Sequence, residues 1–356
     1  MSIAPHVTIA SGTRLPELDA MRGLLAVYVM LVHYTYRYDE LFGHTMPVPL
    51  LEGSHLRVQA LFAISGFIIS MTLARTRTVT DFAFKRVCRL YPAYWIAVLL
   101  TFTVTALAQL PGRTVSPADA MINLSMLQEF LGVAHVDGAY WTLTIELMFY
   151  FWIAVLFFSG ARRFLLPILG VWFAIALLLK YAGDVMHVAL APYVAKALIC
   201  PWIPFFGLGM LAQRAVELGR WDRSGMLMMA AAVITAAVSW GQASALMALA
   251  IAITFMLLLA DGLVCLRQRP LIFLGTISYP LYLLHQNIGY VAIRWLEAEG
   301  WHPLLAISGV GAAMIGFASM LTLYVEQPAV QWLLRFKPHL GAVGQSGAQT
   351  IRWTRQ

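Results

Sequence analysis

Charge is what this chain has least of. Asp, Glu, Lys and Arg make up 12% of its 356 residues, against 60% hydrophobic ones, and the mean hydropathy is +0.75. Soluble domains carry charge on about a quarter of their residues, so a water-soluble enzyme is excluded. Acidic residues are the scarcer sign, 17 against 24 basic ones, for a net charge of +7. The basic residues form no tract that would track nucleic acid; they sit singly or in small groups between apolar runs. Cysteine is nearly absent. Cys88, Cys200 and Cys265 have no paired spacing, which argues against a disulfide framework and a thiolate zinc site. The opening MSIAPHVTIASG has no basic segment leading into an apolar core, so no cleavable signal peptide is expected. No internal repeat and no low-complexity tract stands out.

What is present is a series of apolar runs that approach the length needed to cross a bilayer. Ten are expected, over about 20–36, 56–74, 92–109, 140–159, 164–181, 193–213, 225–241, 243–265, 271–293 and 303–326. The predicted fold class is an all-α polytopic membrane protein. Pro201 and Pro204 predict a kink or break in the sixth run. With the N-terminus placed in the cytoplasm, that side holds 18 Lys and Arg and the other side holds 6. Both termini are therefore expected to be cytoplasmic. One domain is expected over 1–337, followed by a flexible basic tail at 338–356. Between the second and third runs lies TDFAFKRVCRLYPAYW. Phe84, Val87, Cys88 and Tyr91 share one helical face there, and Lys85, Arg86 and Arg89 the other. This predicts a cytoplasmic interfacial amphipathic helix ending at Pro92.

Ionisable groups inside apolar runs are costly and usually functional. Arg22 and His33 stand eleven positions apart in the first run, three turns plus about 20°, so they share one helix side. The rise between them is roughly 16 Å. His33 is either a general base, able to take a proton from a hydroxyl near pH 7, or a buried structural histidine. Glu146 lies in YWTLTIELMFYFW, roughly 9 Å along the fourth run. It is expected to orient His33 as a base–orienter pair, or else to pair with another donor. Asp19 opens the first run. His285, with Ser278, Tyr279, Tyr282 and Asn287 in the ninth, either lines a substrate cavity or bonds between helices. Arg86 and Arg89, three residues apart on a helix, can converge on one phosphate-rich ligand. Ser65 and Gly66 are expected to serve helix packing, and Glu326 to pair with a loop arginine. His135 and Asp137 have no third ligand at useful spacing, so no metal is expected.

These stretches together resemble a known family, the acyltransferase-3 family of integral membrane O-acyltransferases. LPELDAMRGLLAVYVMLVHY carries an Arg-x10-His pattern at Arg22 and His33. LFAISGFIIS, then FKRVCRLYPAYW with Arg86 and Arg89, WTLTIELMFY with Glu146, LGTISYPLYLLH with Tyr282 and His285, and YVEQPA follow in the family's order. They span about 310 of the 356 residues. Leu147 and Met148 depart from a frequent polar pair, and Gln327 from a common arginine. With no room for a fused SGNH domain, the chain is similar to the stand-alone members that decorate exopolysaccharide, O-antigen or related glycans.

The resemblance implies transfer of an acyl group, most often acetyl, from cytoplasmic acyl-CoA to a hydroxyl of an extracytoplasmic or lipid-linked glycan. It implies a bacterial inner membrane. On this reading Arg86 and Arg89 bind the polyanionic donor, acetyl-CoA, with Arg22 beside them. His33 takes the acceptor proton with Glu146 orienting the ring, and His285, Tyr282 and Asp19 contact substrate. Two other classes are open to the residue pattern. A transporter or flippase also needs polar groups at mid-depth and a broken helix, though dependence on acyl-CoA would exclude it. A lipid-binding scaffold accounts for the basic inner surface but not for His33 and Glu146.

Overall fold

The computed structural model describes residues 15–51 and 56–336. The expected tail at 338–356, and Glu52 and His55, lie outside the described residues. Within them every regular element is helical. Helix α1 (Pro16–Val32) runs through a π turn (His33–Arg37) into α2 (Tyr38–Phe42). Then come α3 (Leu56–Leu73), α4 (Val79–Leu107), α5 (Pro117–Asn123), α6 (Trp141–Phe158), α7 (Leu165–Asp184), α8 (Ala191–Ala197) and α9 (Ile203–Leu218). They are followed by α10 (Arg223–Trp240), α11 (Gln242–Leu259), α12 (Arg269–Ala298) and α13 (Pro303–Leu321). A second π turn (Thr322–Glu326) leads into α14 (Gln327–Arg335).

Among the described residues, six stretches are long and apolar enough to cross a membrane: 79–107, 138–158, 161–184, 223–240, 242–259 and 303–335. α3 is a shorter apolar helix, and α1, α9 and α12 coincide with other expected runs without meeting that measure. Leu107, Val171, Leu178, Leu227, Ile234 and Leu305 point outward, exposed. Such a surface suits lipid.

The sixth run is broken where its prolines predict. α8 ends at Ala197, Pro201 lies in the gap, and Pro204 sits in the first turn of α9, where its missing N–H costs nothing. The amphipathic helix corrects the expectation. It does not stop at Pro92 but continues to Leu107 as one 29-residue helix with the proline inside. Pro92 forfeits a single backbone bond. On either side of it Cys88, Ala93, Tyr94, Ala97 and Val98 are buried, and Tyr94 Oη donates to the Asn123 carbonyl at 2.8 Å. That packing holds both halves on one axis.

Two close crossings set the bundle. At the first, α1 lies against α12. A Cβ on Gly275 would fall 2.0 Å from the Asp19 carbonyl oxygen, and one on Gly23 would fall 2.4 Å from the Gly275 nitrogen. At the second, α3 lies against α9. A Cβ on Gly66 would fall 2.2 Å from the Phe206 carbonyl oxygen, and one on Gly209 would fall 1.9 Å from that of Ala63. Backbones approach this closely only where both sides lack bulk. One apolar core joins α3, α4, α6, α9 and α11; a second joins α1, α12 and α13.

Candidate active site

A cavity of about 170 Å³ opens between α1, α3, α4, α6 and α12. Arg22, Ser65, Arg86, Arg89, Glu146 and Tyr150 give it a polar lining, continued by Thr142, Ser278, Tyr279 and Tyr282. Arg22 reaches it from α1: Nη2 donates to Ser278 Oγ at 3.1 Å, and Nη1 lies 3.9 Å from Asp19. Arg86 arrives from α4 with its guanidinium 5.7 Å from the Phe82 ring and 5.9 Å from that of Tyr150. Its Nε is buried and has no hydrogen-bond partner among the described residues. Arg89, one turn further, forms an ion pair with the fully buried Glu326. The partner of Glu326 is thus a helix arginine and not a loop one. A second cavity of about 390 Å³ lies beyond, lined by Asp19, Arg22, Arg89, Gln327 and Gln331. Arg22 and Arg89 line both cavities and form the neck between them.

Glu146 does not orient His33. Its Oε1 accepts from Ser65 Oγ at 2.8 Å and from Tyr150 Oη at 2.6 Å. Thr142, one turn earlier on α6, is the residue level with Tyr282; their hydroxyls are 2.7 Å apart. Glu146 therefore sits a turn deeper, at the arginines. Ser65 bonds this carboxylate, a polar role beyond helix packing.

The partner of His33 is His285. His33 Nδ1 and His285 Nε2 are 2.7 Å apart, and the rings lie parallel within 5° with centroids 4.9 Å apart. The tautomers follow from the other contacts. His285 Nδ1 faces two carbonyl oxygens, Tyr282 at 2.9 Å and Leu281 at 3.1 Å, and a proton there satisfies both. A neutral His285 then offers a lone pair at Nε2, His33 Nδ1–H donates to it, and the basic nitrogen of His33 is Nε2. His285 is fully buried and its carbonyl accepts from Tyr34 Oη at 2.7 Å. Gly289 makes room for that tyrosine; a Cβ there would fall 2.2 Å from Tyr34 Oη. Tyr282 lines the first cavity and its ring lies 5.7 Å from that of His285. Neither histidine is among the described residues that line the cavity; Tyr282 is what links the pair to it.

Arg22 meets Ser278 and His33 meets His285, so both residues of α1 face α12, as their spacing predicts, and the two helices run in the same direction. His33 opens the π turn: the Tyr38 amide bonds the His33 carbonyl, five residues back. Single π turns inside α-helices occur frequently at functional sites.

His135 and Asp137 do not converge. His135 bonds Gln128 and Glu129, while Asp137 is buried and accepts from the Ala139 and Asn287 amides, each at 2.9 Å. Asp137 thereby ties the outer segment to α12. Burial pushes its carboxyl up to about 6. Cys88 and Cys200 are buried, Cys265 is exposed, and all three are free thiols.

A family model described as an acyltransferase domain matches residues 15–323. Acyltransferase MdmB of Streptomyces mycarofaciens is 25% identical over 380 aligned positions, covering 91% of this chain and 94% of that protein. No solved structure matches. The matched region contains every residue of the two cavities and the histidine pair except Gln327, Val330 and Gln331 of the outer rim, and the chain belongs to the acyltransferase-3 family.

Proposed function

We propose that this protein is a membrane O-acyltransferase that moves an acyl group, acetyl in the simplest case, from acyl-CoA to a hydroxyl of a cell-envelope glycan. The observation that carries the reading is one arrangement: an imidazole pair lies against Tyr282, which lines a cavity that three arginines also line. Arg22, Arg86 and Arg89 are suited to the phosphates of CoA, because guanidinium forks bind phosphate oxygens with charge-assisted bonds. Arg86 lines the cavity beside Tyr150 and Glu146, where its guanidinium can meet an anionic ligand. The acyl-bearing arm enters through the neck between Arg22 and Arg89.

In the reaction His33 Nε2 accepts the proton of the acceptor hydroxyl. The oxygen attacks the thioester carbonyl carbon, the new C–O bond forms, and the C–S bond breaks. The CoA thiolate leaves with the proton that His33 took up. During the cycle the His33 imidazolium keeps Nδ1–H on His285 Nε2, which stabilises its charge and fixes the ring. Glu146, held by Ser65 and Tyr150, supports the arginine cluster. Asp19 and Tyr282 line the path of the donor arm. The loop charge bias supports ten spans with both termini in the cytoplasm of a bacterial inner membrane; the neck then faces the cytoplasmic donor and the histidines face an extracytoplasmic acceptor.

The test uses membranes holding the full chain, given acetyl-CoA labelled on the acetyl carbon. Label is expected in alkali-labile esters of the envelope glycan fraction with the wild type and not with His33→Ala. Wild-type labelling by folded His33→Ala would overturn the assignment of the base. Absence of label from a panel of acyl-CoA donors would overturn the donor class.

A further inference from the structure

The residue that begins the π turn is the proposed base, and something has to hold that turn. In a regular α-helix the Tyr38 amide would bond the Tyr34 carbonyl. Here it bonds the His33 carbonyl instead. The Tyr34 carbonyl accepts from His44 Nε2 at 3.0 Å. His44 lies ten residues on. α2 ends at Gly43, whose φ of +70° turns the chain back on itself, a backbone state that suits glycine. The His44 side chain returns beneath the turn against the Tyr38 ring, with centroids 4.6 Å apart.

The other face of His44 is as tightly bound. Nδ1 lies 2.6 Å from Glu297 Oε1, near the end of α12, and the two side chains are 1% and 2% exposed. Glu297 Oε2 accepts from the Thr45 amide at 3.3 Å. Both partners of the His44 ring, a carboxylate and a carbonyl, are acceptors. Full satisfaction of the three groups needs a proton at each ring nitrogen, or one shared with the carboxyl. This bond set links α12 to the backbone of Tyr34, the residue beside His33, whose hydroxyl also holds the His285 carbonyl.

We propose that His44 and Glu297 form a buried latch that keeps the π turn in register and so positions the His33 imidazole on His285. His44 and Glu297 are positioning residues. The inference rests on His33 being the base.

Full-length enzyme in membranes, assayed with labelled acetyl-CoA, tests it with His44→Asn. Asparagine keeps a donor near the Nδ1 position toward Glu297 but has none to reach Tyr34. A latch acting through Tyr34 predicts a kcat at least tenfold lower, an unchanged KM for acetyl-CoA and an undiminished folded fraction by detergent gel filtration. Glu297→Ala, which removes the acceptor of the His44 ring and of the Thr45 amide, should lower kcat similarly. The double variant should be no worse than the poorer single one, since the two residues act as a unit. Wild-type kcat in folded His44→Asn, or in folded Glu297→Ala where the first variant does not fold, overturns the latch. A loss of activity matched by loss of folded enzyme overturns it too. Wild-type turnover in His33→Ala overturns the assignment of the base instead, and the His33→Ala and His44→Asn results separate the two failures.

Discussion

At the residue scale the site divides into an imidazole end and a guanidinium end, and substitutions at each should be read by different kinetic constants. Positioned general bases contribute about 10²- to 10⁴-fold to rate. His33→Ala should lower kcat into that range and leave the KM for acyl-CoA nearly unchanged. His285→Ala should approach it, because the Nδ1–H of His33 loses its acceptor. A kcat for His285→Ala within twofold of wild type would show that His33 works without it. Arg86→Ala removes a guanidinium that lines the cavity. A lost charge-assisted bond is worth about 1.5–3 kcal/mol, so the KM for acyl-CoA should rise roughly 10- to 100-fold while kcat changes less. Steady-state titration of the donor measures both.

At the element scale the site depends on how closely α1 approaches α12. Arg22 and His33 reach Ser278 and His285 only because Gly23 and Gly275 let the two backbones touch. Gly275→Ala would place a methyl 2.0 Å from the Asp19 carbonyl oxygen, a rigid neighbour. Overpacking of this kind costs about 1–3 kcal/mol. The variant should unfold at lower temperature in detergent and lose activity beyond its loss of folded protein, since the helices can relieve the clash only by moving apart at the site. Gly316→Ala on α13 is the matched control. A Cβ there meets nothing within 4 Å, and an alanine in a helix interior is favoured over glycine by about 0.5–1 kcal/mol. Its Tm should hold or rise.

At the scale of the whole molecule, a buried carboxylate is among the groups that tie the outer segment between α5 and α6 to the bundle. Asp137 is fully buried, and burial raises its carboxyl from the ordinary 3.8 to about 6. Between those values the folded protein binds more protons at this group than the unfolded chain does. Its contribution is therefore most favourable below pH 4 and is lost as pH rises through about 6, by about 3 kcal/mol in all. The denaturant midpoint in detergent should show this downward component between pH 4 and 6.5, and Asp137→Asn should remove it. A pH dependence identical in the variant would mean that the carboxyl is ionised throughout.

Much of this was legible before any tertiary contact was known. The apolar runs predict the helices, the prolines at 201 and 204 predict the break before α9, and the eleven-residue spacing predicts that Arg22 and His33 face one neighbour. These are local properties, because each residue turns an α-helix by 100° whatever surrounds it. The partners were not legible. Glu146 was expected against His33 and instead bonds Ser65 and Tyr150, one turn from that level, while His285 takes the place beside His33. The axial offset between two helices comes from where their glycines allow backbones to meet, and no periodicity within either helix encodes it. Pro92 read as an end because a missing N–H is a local signal, whereas the burial that carries α4 through it comes from other segments. The π turn and the return of His44 to Tyr34 belong to the same class. The sequence by itself determined which long segments are helical, whereas its expected faces for residues 84–91 do not hold, since Val87 is exposed and Arg86 and Arg89 line the cavity. Tertiary packing alone decided which polar groups touch, since a hydrogen bond depends on tenths of an ångström between atoms up to 256 residues apart along the chain.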